Sequence, residues 1–298
     1  MRVGIEATGH TRWFERMLAE MGQELWIGDA ARIRAAMVRK QKTDARDAAH
    51  LLELLESERF PRIWRPTLAE RDLRQLVWHR QKLVWRHTAV SNQLHSLAMG
   101  EGVCRKKKLF TQKGGAELEG LKLDPWASRR RQELLAMLDQ LDASLAELDQ
   151  AVAQQAEQNP TARLLMTHPG VGPVTSLALV LTLGPVARFP RSKQVVSYLG
   201  LNPREHSSGG RQKLGAISKQ GNPMMRSLLV EAGHSAARLD AELRQDYQRL
   251  KLRRGSGVAK VAIARKLAIR MYWMLRRQAV YAQLVRMQGS PWATLVKS

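Results

Sequence analysis

The feature that most constrains the fold is a pair of long segments with helical periodicity. Apolar residues recur every three or four positions over residues 68–97 and again over residues 134–148, and this spacing places them on one face of an α-helix. Pro61 and Pro66 precede the first segment and would interrupt a helix that entered it. The sequence therefore predicts two long helices that pair as an antiparallel hairpin, with a loop rich in Lys and Gly over residues 105–115 between them.

The residues before this hairpin predict an α/β arrangement. The segments "RVGIEATG" (residues 2–9) and "QELWIGD" (residues 23–29) have the β-branched and apolar composition of short strands. Helical patterns follow each of them, over residues 11–22 and 30–40. Strands joined by a helix pair in parallel, so the chain is expected to open with a βαβα unit.

The last region begins with a glycine-rich turn ahead of an apolar helix. The segment "HPGVGP" (residues 168–173) precedes the run "VTSLALVLTLG". A helix start leaves backbone N–H groups free, and such groups bind phosphate oxygens. The turn thus resembles half of a helix-hairpin-helix module, with His168, Gly170 and Gly172 as candidate DNA contacts. The alternative is an ordinary tight turn between two core helices.

The charge of the chain indicates its partner. There are 49 Lys and Arg against 27 Asp and Glu, a formal charge of +22, which favours nucleic acid as a counterion. No apolar run of about 18 residues is present, so membrane insertion is not expected. Cys104 is the only cysteine, which excludes a disulfide framework or a thiolate zinc cluster and fits the reducing cytoplasm.

Three carboxylates are unexpected in such a basic chain. Asp44 and Asp47 lie three positions apart at a predicted helix start, and Glu6 ends the first predicted strand. Residues at this spacing lie on one helix face, where a divalent cation would relieve their repulsion. Carboxylate oxygens suit Mg²⁺ or Mn²⁺. The alternative is a helix cap, Thr43 or Asp44, followed by acids that complement the helix dipole.

A basic loop offers candidate nucleophiles. Ser207 and Ser208 in "REHSSGGRQK" are surrounded by cations that could hold a phosphate and stabilise developing charge. The basic neighbours are Arg204, His206, Arg211 and Lys213. The alternative is a solvated loop whose serines make turn hydrogen bonds.

Ser218 in "ISKQGN" is a rival nucleophile. Its neighbours Lys219, Asn222 and Arg226 are equally suited to phosphate contacts at a helix start. Two further features leave alternatives open. Tryptophans such as Trp78 could stack on bases or pack in a core, and the basic segment over residues 249–277 could offer one helix face to phosphate.

Five motifs taken together carry a family resemblance. In this order they resemble the DEDD-type insertion-sequence transposases that include Piv-like DNA invertases and bridge-RNA-guided recombinases: "GIEATG", "KTDARDA", "HPGVGPVTS", "YLGLNPREHSSGG" and "GAISKQGNPMMRSLL".

The resemblance implies an α/β plus α fold in three parts. These are a partial RNase H-like (RuvC-like) domain over residues 1–62, a helical hairpin or coiled-coil connector over residues 63–160, and a mostly helical C-terminal transposase domain over residues 161–298.

The resemblance also implies a composite site in which Glu6, Asp44 and Asp47 hold Mg²⁺ or Mn²⁺ and Ser208 attacks phosphorus. DNA is the expected substrate and a homo-oligomer the expected active form, while a guide RNA stays open.

One acidic position of that family has no counterpart here. The resemblance places an aspartate on an opening strand upstream of Glu6, and Met1 stands only five residues before Glu6. We therefore expect an N-terminally truncated copy whose sheet lacks its first strands, or a start codon assigned too late. The alternative function is a catalytically inactive DNA- or RNA-binding remnant. A DNA-repair subunit that recognises branched DNA is a third hypothesis.

Overall fold

The protein is described by a computed structural model that covers residues 1–7, 11–37, 43–105, 108–207, 211 and 213–286. The chain divides into two compact units, Met1–Thr67 and Leu68–Ser298. The finer division at residues 62 and 160 stays a prediction.

Unit 1 opens with the predicted βαβα arrangement. Strands β1 (Arg2–Glu6) and β2 (Glu24–Gly28) pair in parallel, and helix α1 (Arg12–Glu20) connects them. Helices α2 (Ala30–Ala35) and α3 (Asp44–Glu56) follow. The predicted strands and their parallel pairing are therefore confirmed.

Unit 1 has two small cores, because successive side chains of a strand point to opposite faces of the sheet. One contains the buried residues Leu18, Leu25 and Ile27, and the other contains Ile33, Leu54 and Phe60. Gly4 and Gly28 allow the second core to approach the sheet. A Cβ atom on Gly4 would lie 2.7 Å from a methyl carbon of Leu55, and one on Gly28 would lie 2.7 Å from a methyl carbon of Ile33. Both faces of the sheet are thus covered by apolar side chains.

Unit 2 contains the predicted pair of long helices. Helix α4 (Leu68–Gly100) packs against helix α6 (Pro125–Gln158). The side-chain pairs between them are Arg80 with Asp149, His87 with Asp142, and Gln93 with Arg130. Because the partner's number falls as the first number rises, the helices run antiparallel, as predicted.

The basic loop between these helices is partly helical, contrary to the prediction. Helix α5 (Gln112–Glu119) begins inside it, and the hydroxyl of Thr111 accepts a hydrogen bond from the Gly114 amide at 3.3 Å. A Cβ atom on Gly114 would lie 2.1 Å from the Lys108 carbonyl oxygen. This glycine therefore permits close packing of the loop backbone, although glycine usually weakens a helix.

The rest of unit 2 is mostly helical, with one small antiparallel sheet. Its elements are α7 (Pro160–Met166), α8 (Pro173–Leu183), α9 (Ser192–Tyr198), β3 (Pro203–Glu205), β4 (Leu214–Ile217), α10 (Pro223–Leu239), α11 (Ala241–Arg254), α12 (Ser256–Arg277) and α13 (Tyr281–Arg286). The two short strands were not predicted from the sequence.

Helix α8 lies at the centre of this unit. Most of its 11 residues are buried, on every side of the helix, and it contacts α4, α6, α7 and α10. A helix that is apolar all round must be covered on all sides by other elements. Within the described residues, no helix combines the length and apolar character that a membrane crossing requires.

Truncation of a core side chain on α10 tests this arrangement. Leu229 is fully buried in the core of unit 2, whereas Leu239 on the same helix is 63% exposed. We expect Leu229→Ala to lower the free energy of unfolding by about 2–5 kcal/mol, because it removes buried apolar contacts and leaves a cavity. Leu239→Ala should change it by about 0.5 kcal/mol or less. Urea unfolding followed by circular dichroism measures both, and equal losses would contradict the packing described.

Candidate functional site

The start of helix α3 holds the two aspartates. Thr43 is its N-cap, and its hydroxyl accepts a hydrogen bond from the Arg46 amide at 3.4 Å. Asp44 and Asp47 occupy the first turn, where negative charge complements the helix dipole. The capping role proposed for this segment is therefore observed, with Thr43 as the cap.

Asp47 has a feature that capping does not explain. Its Oδ1 atom is buried and has no hydrogen-bond partner within the described part of the chain. Burial of an ionised carboxylate oxygen without a partner is costly, so such an atom calls for a cation, a proton or a donor. The Asp44 carboxylate, one helical turn away, adds repulsion rather than compensation.

Glu6 stands at the C-terminal end of β1, as expected. Its carboxylate lies 4.0 Å from the Arg34 guanidinium, and its side chain is 45% exposed. Among the described residues, no group of three or more His, Cys, Asp or Glu side chains is arranged to hold a metal ion. The structure therefore does not gather Glu6, Asp44 and Asp47 around one point, although their oxygen atoms are the donor type that Mg²⁺ prefers.

Strands β3 and β4 form a hairpin that carries the basic loop. Glu205 pairs with Leu214, and the His206 amide donates to the Lys213 carbonyl at 2.9 Å. Ser207 closes the hairpin, since its hydroxyl donates to the Glu205 carboxylate at 2.6 Å and accepts from the Lys213 amide at 3.1 Å. Ser207 is thus engaged in a structural role.

The predicted nucleophile, Ser208, lies in sequence between β3 and β4 and outside the described residues, as do positions 209, 210 and 212. The predicted DNA contacts on either side, Arg204, Arg211 and Lys213, are all exposed. The basic side chains flanking the loop are therefore accessible to a phosphate.

Ser218 lies at the opposite end of the hairpin. Its hydroxyl donates to the Asn202 side-chain oxygen at 2.7 Å, and its amide donates to the Asn202 carbonyl at 2.8 Å. The next residue, Lys219, is exposed and has a left-handed backbone with φ of 58°. Both groups of Ser218 therefore fix the backbone between β4 and α10.

The start of α10 combines two residues predicted to bind DNA. The Asn222 side-chain oxygen caps the helix by accepting from the amides of Met224 and Met225. The Arg226 guanidinium donates to the Gln220 carbonyl at 2.7 Å. Both residues thus hold the turn before the helix, and the N-terminus of α10 keeps its favourable potential for an anion.

The glycine-rich turn joins α7 to α8 and packs closely on α10. Gly170 has φ of 84°, and a Cβ atom there would lie 2.3 Å from the Ala236 amide nitrogen. Only glycine fits this position, because the backbone of α10 occupies the space of a side chain. Gly172 is the exposed N-cap of α8 and has open space around it. Of the two predicted contacts, Gly172 is the accessible one.

The prediction that His168 contacts DNA directly is wrong for this structure. Its side chain is 1% exposed and its ring lies 4.2 Å from the Tyr281 ring. Burial, reinforced by the nearby Arg270 charge, lowers the pKa of His168 to about 4. Because Nδ1 lies 2.8 Å from the Pro169 carbonyl, which can only accept, Nδ1 must carry the proton. His168 is therefore a neutral residue that supports the turn.

A buried ionic network beside His168 was missed by the sequence analysis. Arg270 lies in the basic C-terminal segment, yet its side chain is only 3% exposed and pairs with Asp240 at 3.2 Å and Glu242 at 2.8 Å. The Tyr281 hydroxyl also donates to Asp240. Arg270 therefore stabilises the core, and it does not belong to the phosphate-binding face expected of this segment.

The charge state of Asp240 follows from these contacts. Burial raises the pKa of Asp240, but the hydrogen bonds from Tyr281 and the Leu243 amide and the charge of Arg270 outweigh it. The net effect is a pKa below the usual value. Asp240 is thus ionised at neutral pH and compensates the buried Arg270.

Parts of the chain match two family models of transposases. Residues 1–100 match the family model of the IS110 DEDD transposase, and residues 162–248 match that of the transposase IS116/IS110/IS902 family. These two ranges contain the acidic residues and the serine-bearing hairpin, respectively.

Two similar proteins match most of the chain and a third matches a shorter part. A transposase for insertion sequence element IS1111A from Coxiella burnetii is 29% identical, covering 94% of this chain and 79% of its own length. A probable family 20 transposase from Pseudomonas aeruginosa is 27% identical, covering 94% and 85%. The pilin gene-inverting protein of Moraxella bovis is 36% identical over 91 residues, 29% of this chain and 28% of its own.

The buried state of His168 predicts acid sensitivity. The folded protein holds the pKa of His168 at about 4, against 6.5 for an unperturbed histidine. The unfolded chain therefore binds a proton first as pH falls. The contribution of neutral His168 to the free energy of unfolding should be fully present above pH 6.5. It should decline by about 1.4 kcal/mol per pH unit as the pH falls towards 4.

Thermal unfolding at a series of pH values tests this expectation. His168→Asn retains a donor for the Pro169 carbonyl but cannot titrate, so it should be less stable at pH 7 and lack this slope. Replacement of the exposed His79 by Gln serves as the control and should keep the slope. An unchanged pH dependence in His168→Asn would contradict the assignment.

Proposed function

Because the chain belongs to the IS110/IS116 family of insertion-sequence transposases, we propose that it cuts and rejoins DNA through Ser208 and a divalent cation. Glu6, Asp44 and Asp47 would hold the cation, Mg²⁺ or Mn²⁺. The observation that carries the metal proposal is the buried Oδ1 atom of Asp47 in the first turn of α3, which has no hydrogen-bond partner among the described residues.

The family resemblance supports Ser208 as the nucleophile, and the contacts of the neighbouring serines are compatible with this choice. The Ser207 hydroxyl bonds the Glu205 carboxylate and the Lys213 amide, and the Ser218 hydroxyl bonds the Asn202 side chain. A serine that serves as nucleophile needs a hydroxyl that can reach a phosphate, and these two hydroxyls are already engaged. Ser207 and Ser208 both lie between the basic residues Arg204 and Arg211 in sequence.

The basic residues of the hairpin would bind the DNA backbone at the reacting phosphate. Arg204, Arg211 and Lys213 are exposed, and cations of this kind bind phosphate oxygens in a sequence-independent manner. Positive charge at this place also stabilises the negative charge that develops on the phosphoryl oxygens during attack. These residues would therefore contribute to both binding and rate.

The starts of helices α8 and α10 would contact the DNA strand at phosphates other than the reacting one. Gly172 at the start of α8 is exposed, and the turn is held rigid by the packing of Gly170 on α10. The start of α10 is fixed by Asn222 and Arg226, and its first amides donate to Asn222. It would therefore act on phosphate through the helix dipole. The start of α8 has no side-chain cap among the described residues and would offer backbone amides instead.

The proposed reaction exchanges one phosphate ester for another. The Ser208 oxygen forms a bond to phosphorus, the bond from phosphorus to one strand oxygen breaks, and the serine proton is lost while the released strand oxygen gains a proton. The product is a phosphoserine link, and attack by a strand hydroxyl reverses the exchange and rejoins DNA. A bound divalent cation would stabilise negative charge on the phosphoryl group.

Substitution of the three serines tests the assignment of the nucleophile. Incubation with labelled DNA carrying the ends of the element, followed by denaturing electrophoresis, detects a covalent protein–DNA adduct. We expect Ser208→Ala to abolish the adduct, because its oxygen forms the bond, while DNA binding remains. Ser207→Ala and Ser218→Ala should still form it.

The outcome also separates the enzyme from the binding-only alternative. An adduct that persists in Ser208→Ala would exclude Ser208. Steady DNA binding with no adduct from the unmodified protein would favour the inactive remnant.

Manganese binding tests the role of Asp47 without relying on activity. Free Mn²⁺ is measured by electron paramagnetic resonance as protein is added. Asp47→Asn keeps the size of the side chain but removes its charge, so we expect Mn²⁺ affinity to fall at least tenfold. Glu56→Gln alters an exposed carboxylate on the same helix and should bind like the unmodified protein. Equal affinities in all three proteins would contradict a metal site at Asp47.

A further inference from the structure

A concave pocket of about 570 Å³ lies in unit 2, between helix α4, the end of α8 and the turn before α10. This volume falls within the range of small-molecule sites, roughly 300–1,000 Å³. The residues that carry the argument are Arg74, Trp78, Phe189, Tyr198 and Asn222. Neither the metal proposal nor the serine proposal uses this pocket.

Aromatic rings form a large part of the pocket wall. Phe189 and Tyr198 are paired with ring centroids 5.3 Å apart, and the Arg188 guanidinium lies 4.8 Å from the Phe189 ring centroid and 5.3 Å from that of Tyr198. Trp78 packs partly against the core of unit 2 and also lines the pocket. The sequence left core packing and base stacking as alternatives for Trp78. In the structure, Trp78 packs on the core and its remaining surface faces the pocket.

The exposure of these rings differs in an informative way. Phe189 is 6% exposed, whereas Tyr198 is 41% exposed. A ring that is partly exposed beside a pocket can contact a ligand with its accessible face. Tyr198 therefore presents a flat surface on which a planar ligand could stack.

Polar and charged groups surround the rings. Arg74 reaches the pocket from α4 and donates to the Leu181 carbonyl at 3.0 Å, which fixes its guanidinium at the end of α8. Gln194 and Asn222 also line the pocket, and the side-chain oxygen of each accepts a hydrogen bond from a backbone amide. Aromatic rings with polar residues and the Arg74 guanidinium beside them match the stacking face and polar edge of a nucleobase.

The far wall of the pocket is built tightly. Gly221 has φ of 79°, and a Cβ atom there would lie 2.2 Å from the Tyr198 carbonyl oxygen. Gly200 has φ of 67°, and a Cβ atom would lie 1.7 Å from the Gln220 carbonyl oxygen. The segment carrying Tyr198 and the turn carrying Asn222 are therefore held together, so the pocket is formed before any ligand arrives.

The geometry points to this pocket as a binding site for an unpaired nucleobase from a DNA or RNA strand. The inference rests on the proposed function only in taking nucleic acid as the partner. Lys219 is exposed just before Gln220 and Gly221, and the N-terminus of α10 follows, so the phosphates beside a bound base would meet positive potential.

Affinity for single strands tests the site. Fluorescence anisotropy measures binding of labelled oligothymidylate, oligouridylate and a DNA duplex of equal length to the full chain. We expect Tyr198→Leu to weaken binding of at least one single strand by about tenfold, because the stacking of a base on the ring is lost. Duplex binding should remain unchanged. The strand that loses affinity identifies the source of the base.

Matched variants separate stacking from general effects. Trp126→Leu removes a tryptophan on α6 that is 79% exposed and lies outside the pocket, and it should bind all three nucleic acids normally. Trp78→Leu should resemble Tyr198→Leu. Circular dichroism melting confirms that each variant folds. Unchanged single-strand binding in folded Tyr198→Leu, or an equal loss for the duplex, would overturn the proposal.

A second readout locates the base. Oligothymidylate with one 2-aminopurine should lose fluorescence on binding, because stacking quenches this base, and Tyr198→Leu should restore most of it. Quenching that is identical in Tyr198→Leu would overturn the inference. These results are independent of the covalent adduct at Ser208, so failure here leaves the proposed chemistry standing, and failure of the adduct assay leaves this site standing.

Discussion

The need to cover helix α8 determines the architecture of unit 2. This helix is buried on every side, so α4, α6, α7 and α10 pack around it. The polar groups at its two ends must then be satisfied by neighbouring elements. Its start is held by the Gly170 turn against α10, and the Leu181 carbonyl near its end accepts from Arg74. Two of the candidate nucleic-acid contacts, the exposed Gly172 and the aromatic pocket, lie at these ends.

The excess of positive charge is handled differently inside and outside this core. Arg270 is buried, and Asp240 and Glu242 compensate it. A buried charge without such partners would be strongly destabilising. Arg204 and Lys213 of the hairpin are exposed, so water can solvate their charges and no carboxylate is needed to compensate them. Counting basic residues therefore overstates the surface available to phosphate, because a cation such as Arg270 belongs to the core.

The sequence predicted those helices and strands whose apolar residues recur at a regular spacing. The parallel strands, the start of α3 and the antiparallel helices follow from periods of two and of three to four residues. Strands β3 and β4 were missed because they are three and four residues long and lie among glycines and charges. The burial of His168 could not be predicted, since it depends on Tyr281, more than a hundred positions later in the chain. Long-range packing of this kind leaves no local signature.

The paired aspartates of α3 illustrate how one structure can satisfy two explanations. Helix capping accounts for Thr43 and for acids in the first turn, and it is worth about 1 kcal/mol. Such a role requires only that the carboxylates lie near the helix start, where water can solvate them. It gives no reason to bury the Oδ1 atom of Asp47 without a partner among the described residues, which carries a penalty of at least similar size. A cation, a proton or a hydrogen-bond donor would each offset this penalty. Capping and the proposed metal role therefore make different demands on the same helix start, and only the burial of this oxygen distinguishes them.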